Sequence, residues 1–224
     1  MNNASYPVNE LFETIQGEGV HTGVPAIFLR LQGCPVGCSW CDTKHTWDLQ
    51  ENRKVMLSDV LVKTEESVMW CSVGPREILD LCMSRYTATH LVITGGEPCM
   101  YDLQPLCEVF EAEGYSIQVE TSGTYPVMVS DSAWVTVSPK IKMRGGLSVL
   151  ASAIDRADEI KHPVATVKDI EQLDELLTGS AGADAKVALQ PISQKPKATE
   201  LAIRTCIKRN WRLSVQTHKY LGIE

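Results

Sequence analysis

No apolar run in this chain approaches the ~20 residues a membrane-spanning helix needs. The opening Met-Asn-Asn-Ala-Ser-Tyr-Pro has neither a basic n-region nor an apolar h-region, so no secretory leader is expected and a cytoplasmic location follows. Excess basic charge is missing too: the net charge is −7 and the pI near 5.3, which argues against a nucleic-acid-binding surface. No internal repeat or low-complexity tract interrupts the sequence. With 224 residues, 44% hydrophobic and 22% charged, one domain spanning 1–224 around one sizeable core is expected. A disulfide framework is excluded by the same context, because cytosolic thiols stay reduced and clustered cysteines there read as metal or catalytic groups.

Three of the eight cysteines fall in one short loop, Cys34-Pro35-Val36-Gly37-Cys38-Ser39-Trp40-Cys41, directly after an apolar strand-like run. A fourth cysteine at short spacing is lacking, since the next is Cys71. Three thiolates are one short of an ordinary four-iron set. The simplest reading is a [4Fe–4S] cluster with one iron open to a non-protein ligand. The spacing resembles the signature of the radical S-adenosylmethionine (radical SAM) superfamily, in which the amino and carboxylate groups of SAM chelate that iron. Zinc is the competing reading, because His45 could complete a Cys₃His set. Cys82 and Cys107 fall in amphipathic helical stretches and read as small buried hydrophobes; Cys71, Cys99 and Cys206 have no assignment.

Strand patterns at 26–31, 90–94, 116–120, 134–137, 159–161, 186–190 and 212–216 alternate with helical patterns near 76–85, 103–113, 148–156, 170–177 and 197–210. Such alternation signals βα units on a parallel sheet. Apolar residues on both strand faces are expected where helices cover a sheet. The units are too few for eight strands, so the fold class is α/β, a partial (incomplete) TIM-like βα barrel. Chemistry in such folds gathers at the C-terminal ends of strands, where this chain places the cysteine loop, Thr94-Gly95-Gly96-Glu97-Pro98, Glu120-Thr121-Ser122-Gly123, Ser138-Pro139-Lys140, Gln190-Pro191 and Thr217-His218-Lys219. The stretch at about 48–74 fits no βα unit and reads as an insertion with one short helix.

Glycines in the Thr94–Pro98 run let backbone approach a ligand closely, and Glu97 could serve the same positive group. Ser138 and Lys140 could hold a carboxylate or ribose. Gln16-Gly17-Glu18-Gly19 could read the hydrogen-bonding edge of a planar ligand, or be a plain connector. Arg30 sits inside an apolar run where a charge must be paired. It could grip a ligand carboxylate through two parallel hydrogen bonds, or form a structural ion pair. Asp42 and Thr43 offer hard oxygens suited to Mg²⁺, or a turn cap. His45 and His218 are not read as proton carriers.

Taken together, Gln-Gly-Glu-Gly, the Arg-bearing strand, Gln-Gly-Cys-Pro-x-x-Cys-x-x-Cys-Asp-Thr, Thr-Gly-Gly-Glu-Pro, Glu-Thr-Ser-Gly, Ser-Pro-Lys and Gln-Thr-His-Lys closely resemble the 7-carboxy-7-deazaguanine synthase family of 7-deazapurine (queuosine) biosynthesis, in its enterobacterial form. The resemblance implies cluster ligation by Cys34, Cys38 and Cys41. It implies SAM contacts from Trp40, Asp42, Gly96, Glu97 and Ser138-Pro139-Lys140. Substrate contacts are implied from Ile15, Gln16, Gly17, Glu18, Arg30, Thr94 and the terminal Glu224, and a Mg²⁺ ligand in Thr43; no side chain is implied as a catalytic residue. The implied reaction is the ring contraction of 6-carboxy-5,6,7,8-tetrahydropterin to 7-carboxy-7-deazaguanine with loss of ammonia, SAM being regenerated. It further implies a pterin as the small-molecule substrate, an electron donor such as flavodoxin, a homodimer, and neither nucleic acid nor membrane as partner. A glycyl-radical-enzyme activase shares the compact cysteine spacing and stands as the alternative.

Overall fold

The computed structural model describes residues 4–179, 184–192 and 195–223. Its centre is a nine-stranded open sheet in the order β3-β1-β2-β4-β5-β6-β7-β8-β9. The strands are β1 (Tyr6–Ile15), β2 (Pro25–Leu31), β3 (Cys71–Val73), β4 (His90–Gly95), β5 (Ser116–Thr121), β6 (Trp134–Val137), β7 (Glu159–Val164), β8 (Lys186–Pro191) and β9 (Arg212–Leu213). From β2 to β9 every pairing is parallel, while β1 runs antiparallel to both β2 and β3. The seven strands expected from sequence all form, in an incomplete α/β barrel.

The helices are α1 (Leu57–Leu61), α2 (Pro75–Arg85), α3 (Gln104–Glu111), α4 (Ala151–Asp155), α5 (Val167–Thr178), α6 (Pro196–Arg209) and α7 (Thr217–Leu221). Prolines open α2, α3 and α6 in the first turn, where the missing N–H costs nothing. Helix α3 shows why these segments settle on the sheet: Leu106, Cys107 and Phe110 form one stripe at i, i+1, i+4 and are fully buried. Each such apolar side chain contributes about 1.5–3 kcal/mol when removed from water. One core joins α2 and α3 to β1, β2, β4 and β5; a second joins α5 and α6 to β6, β7 and β8.

The inner side of the sheet departs from expectation. Ile117 and Val119 of β5 enter the first core, but Gln118 and Glu120, two apart and therefore on the other face, meet only polar partners. Thr136, Glu159 and Lys161 continue that polar inner face, buried at 0%, 0% and 4% exposure. Helices cover one side of β5–β7, so apolar residues on both faces would leave nothing to build a site. The concave side is filled by the turn joining β1 to β2. There Gln16 reaches Gln118 (3.3 Å), the Gly19 amide donates to Ser214 Oγ (3.0 Å), and the Val20 amide donates to Glu159 (3.2 Å).

Two strands escape sequence reading. Polar residues and a register irregularity between Val8 and Glu10 blur the period of β1, and β3 is three residues long. The 48–74 stretch holds the expected short helix, α1, together with a turn of 3₁₀ helix (Glu51–Arg53) and β3. The last strand is shorter than 212–216 and ends at Leu213. Among the described residues no helix is long and apolar enough to cross a membrane.

Candidate active site

Two neighbouring cavities lie at the C-terminal ends of the parallel strands. The first, of ≈ 240 Å³, is lined by Cys34, Cys38 and Cys41, by Thr94 to Glu97, and by Ser138 and Lys140. The second, of ≈ 730 Å³, is lined by Ile15 to Glu18, Phe12, Phe28 and Arg30. Glu18, Asp42, Thr43, Thr94, Glu120 and Lys161 line both, so the cavities share a wall.

The cysteine loop is held by its neighbours. Gly33 and Cys34 amides donate to the carbonyls of Thr46 (2.7 Å) and Trp47 (2.9 Å). The Trp47 indole N–H donates to Cys41 Sγ at 3.3 Å. All three thiols are free, and burial pushes Cys34 up to about 11. The first cavity has no imidazole and no other cysteine in its lining. His45 lines the second cavity instead, with its ring nitrogens 3.2 Å from Glu10 and 3.4 Å from Glu66, so the Cys₃His zinc set is not assembled. Among the described residues no three His, Cys, Asp or Glu side chains converge on one ion. A four-iron cluster draws each thiolate to a different iron and tolerates wider spacing, and three soft donors around a cavity fit it.

The Thr94–Pro98 loop has a physical reason beyond the expected one. A Cβ on Gly96 would lie 2.1 Å from the Gly33 carbonyl oxygen, and one on Gly95 (φ +108°) would lie 2.4 Å from the Leu31 nitrogen. The glycines let this loop press on the cysteine loop, and the Gly96 and Glu97 amides donate to Leu31 O (2.7 Å) and Gly33 O (2.8 Å). Glu97 is 1% exposed and lines the first cavity. It accepts from the Cys99 amide (2.9 Å), Thr121 Oγ1 (2.6 Å), the Ser122 amide (2.8 Å) and the Ser122 hydroxyl. Four donors fill the carboxylate. In this structure Glu97 braces β4 to β5.

Lys140 donates to Ser138 Oγ at 2.6 Å beside buried Pro139; burial lowers its ammonium, offset in part by Cys38. Trp40 stands 39% exposed on the rim. Asp42 faces the C-terminal segment, accepting from Gln216 (3.2 Å) and Lys219 (3.0 Å). The Thr43 hydroxyl donates to Gly95 O (3.2 Å) at the shared wall.

In the second cavity the backbone of the Gln16 turn is spoken for: Gly17 O accepts from the Thr217 amide (3.0 Å) and hydroxyl (2.9 Å), seating α7 on the turn. Ile15 is on the rim. Arg30 has the structural partner left open by sequence, Glu10 at 2.8 Å, and its guanidinium lies over Phe12 at 5.3 Å and Phe28 at 6.0 Å. Glu224 lies outside the described residues.

Sequence reasoning missed the group at the shared wall. Lys161 donates to Glu18 (2.7 Å) and to Glu120 (2.8 Å). Burial alone would raise Glu18, but Lys161 and a hydrogen bond from Gln216 reverse this and hold it at about 2. Glu120 is raised by burial and by Glu18 to about 7, despite Lys161. The only sequence signal for Lys161 was a lysine inside a strand pattern, which on its own reads as a surface cation.

A family profile described as a 4Fe-4S single cluster domain matches residues 15–132. The chain is 60% identical over 220 residues to the 7-carboxy-7-deazaguanine synthase of Escherichia coli (strain K12), covering 97% of this chain and 99% of that protein. It is 34% identical over 224 residues to the 7-carboxy-7-deazaguanine synthase of Synechocystis sp., covering 98% and 94%. The crystal structure of QueE from Escherichia coli superposes with a TM-score of 0.92 at 58% identity, covering 95% of this chain and 94% of that one. Those likenesses run through both cavities and nearly the whole sheet, and the chain belongs to the 7-carboxy-7-deazaguanine synthase family of radical SAM enzymes.

Proposed function

We propose that this protein converts 6-carboxy-5,6,7,8-tetrahydropterin to 7-carboxy-7-deazaguanine with loss of ammonia, as a carbon–nitrogen lyase of 7-deazapurine (queuosine) biosynthesis. The observation that carries the reading is the shared wall: a three-thiol cavity opens beside a larger cavity lined by Glu18, Arg30 and two stacked phenylalanines. That arrangement supports a planar, carboxylated ligand bound next to a cluster-sized site.

In this reading Cys34, Cys38 and Cys41 hold the [4Fe–4S] cluster, and SAM lies along Gly96, Ser138, Pro139 and Lys140 with Trp40 and Asp42 on the rim. When bound and reduced, the cluster with SAM supplies one-electron chemistry that removes a hydrogen atom from carbon. Glu97, on the lining of the same cavity, is a SAM contact beside Gly96 and also braces the loop. Glu18, kept anionic by Lys161, accepts from N–H groups of the pterin edge, flanked by Ile15, Gln16 and Gly17. Arg30 takes the substrate carboxylate, with Thr94 and Glu120 across the wall. Thr43 is the one protein oxygen offered to Mg²⁺, an ion that keeps most of its other ligands as water and substrate. The fold is one radical SAM core domain, 1–224, with 48–74 inserted; a homodimer in the cytoplasm, reduced by a donor such as flavodoxin, completes the proposal.

Anaerobic incubation of reconstituted protein with SAM, Mg²⁺, a strong reductant and 6-carboxytetrahydropterin tests it. The expected result by mass spectrometry is 7-carboxy-7-deazaguanine over many turnovers without stoichiometric loss of SAM. Cleavage of SAM with the pterin untouched would overturn the substrate and favour the activase reading.

A further inference from the structure

Glu10 stands opposite Arg30, and Phe12 opposite Phe28, in the β1–β2 pairing. The irregularity between Val8 and Glu10 displaces Asn9, whose amide donates to Gln32 Oε1 (2.6 Å), Ser67 O (2.8 Å) and Met69 O (3.1 Å). Gln32 in turn donates to the carbonyls of His45 (3.0 Å) and Asp48 (2.9 Å). One bulge thus anchors both the loop carrying His45 and the segment carrying Glu66, beside the larger cavity. Bulges re-aim side chains next to sites in this way.

Three nitrogens meet two carboxylates there: Arg30 Nε lies 2.8 Å from Glu10 Oε2, His45 Nε2 lies 3.2 Å from Glu10 Oε1, and His45 Nδ1 lies 3.4 Å from Glu66 Oε2. All three nitrogens are buried, yet none makes an aligned hydrogen bond. The distances are those of ion pairs and the angles are not those of hydrogen bonds. The His45 side chain is only 9% exposed, and a buried donor left unmade costs about 1–3 kcal/mol. Both His45 nitrogens and Arg30 Nε therefore face carboxylates of the protein itself, and the group left open toward the cavity is the end of the Arg30 guanidinium. Glu10 holds Arg30 through Nε, which leaves the paired terminal nitrogens as a fork for a carboxylate.

We propose that Glu10, held on its other oxygen by His45, aims the paired terminal nitrogens of Arg30 at the substrate carboxylate, so that the cavity selects a carboxylated pterin over an uncharged one. The inference rests on the pterin reading above and adds two positioning residues to it: Glu10, which holds Arg30, and His45, which stands against the other oxygen of Glu10. It also gives the 48–74 stretch a part, since Glu66 fixes the far side of the His45 ring.

The test is equilibrium binding, measured calorimetrically and without reductant, of two probes to the SAM-loaded holoenzyme: 6-carboxytetrahydropterin and tetrahydropterin lacking the carboxylate. The wild type is expected to prefer the first. In Glu10→Gln and His45→Gln that preference should fall about tenfold to a hundredfold, the worth of one charge-assisted hydrogen bond, while affinity for the second probe holds. In turnover, KM should rise more than kcat falls. Retained iron–sulfur absorption in each variant confirms a folded site, and His45→Gln stands alone if Glu10→Gln fails to fold. Equal loss of both probes would reveal a merely structural role and overturn the inference. So would unchanged preference in His45→Gln. If the wild type binds neither probe, the pterin reading itself falls, and the inference with it.

Discussion

Glu18 and Lys161, 143 residues apart in the chain, meet at 2.7 Å in the wall between the two cavities. The turn before β2 supplies the carboxylate and the inner face of β7 supplies the ammonium, which also serves Glu120 at 2.8 Å. Removing the cation leaves two buried carboxylates uncompensated, a change that costs about 3–5 kcal/mol. Lys161→Met should therefore lower Tm by several degrees and abolish pterin turnover, read by calorimetry and product assay. A variant that unfolds and turns over like the wild type would refute this account of the wall.

Glu120, raised to about 7 from the ordinary 4.5, keeps its proton in the folded protein where the unfolded chain has lost it. Stability therefore falls as pH rises from about 4.5 to about 7, because the folded state binds the extra proton. Glu18, held at about 2, acts oppositely: its contribution is present above about 4.5 and lost as pH falls toward 2. Scanning Tm against pH should show the Glu120 slope in the wild type and its absence in Glu120→Gln. The pH profile of kcat/KM should carry a limb near 7 that the same substitution removes.

Arg30→Ala removes the guanidinium stacked on Phe12 and Phe28. The expected loss in kcat/KM for the carboxylated pterin is about a hundredfold or more, as for a truncated charge pair, while 5′-deoxyadenosine still forms from SAM under reductant. Unchanged turnover would count against the larger cavity as the substrate site.

Gly96→Ala would put a methyl group 2.1 Å from the Gly33 carbonyl oxygen. Overpacking of this kind costs about 1–3 kcal/mol, and here it would pry the Thr94–Pro98 loop from the cysteine loop. Lower iron content on reconstitution, together with a lower Tm, is the expected outcome. Glu97→Gln should share it, since an amide nitrogen would then face donors now satisfied by a carboxylate.

Cys34→Ser, Cys38→Ser and Cys41→Ser should each give protein that loses its brown colour and charge-transfer absorption. Cys107→Ala, on buried α3, should keep both at some cost in stability. Normal iron content in any of the first three would remove that residue from the ligand set.

The seven parallel strands were legible because helix and strand periods alternate cleanly along the chain, and the strand-end rule then placed the cysteine loop, Thr94–Pro98 and Ser138–Lys140 on one rim. The β1 strand was not legible, because Pro7, Asn9 and a bulge break its alternation. Nor was the polar inner face of β5–β7, although Gln118 and Glu120 do alternate with Ile117 and Val119. A two-residue period says that two faces differ and not which one faces a site.

By itself the sequence determined what depends on near neighbours: the spacing of three thiols, the glycines that a close turn demands, the order of strands and helices, and through the run of motifs the family. Only the tertiary structure decided that Lys161 pairs with Glu18 and Glu120, that Arg30 is held by Glu10, that His45 belongs to the larger cavity and not to the thiols, and that Glu97 is filled by Cys99, Thr121 and Ser122. Apart from the Cys99 amide beside Glu97, each of these is a partner choice between groups far apart in the chain. A charge in isolation carries no record of its partner; the folded sheet, by burying it, decides which counter-charges stay within reach.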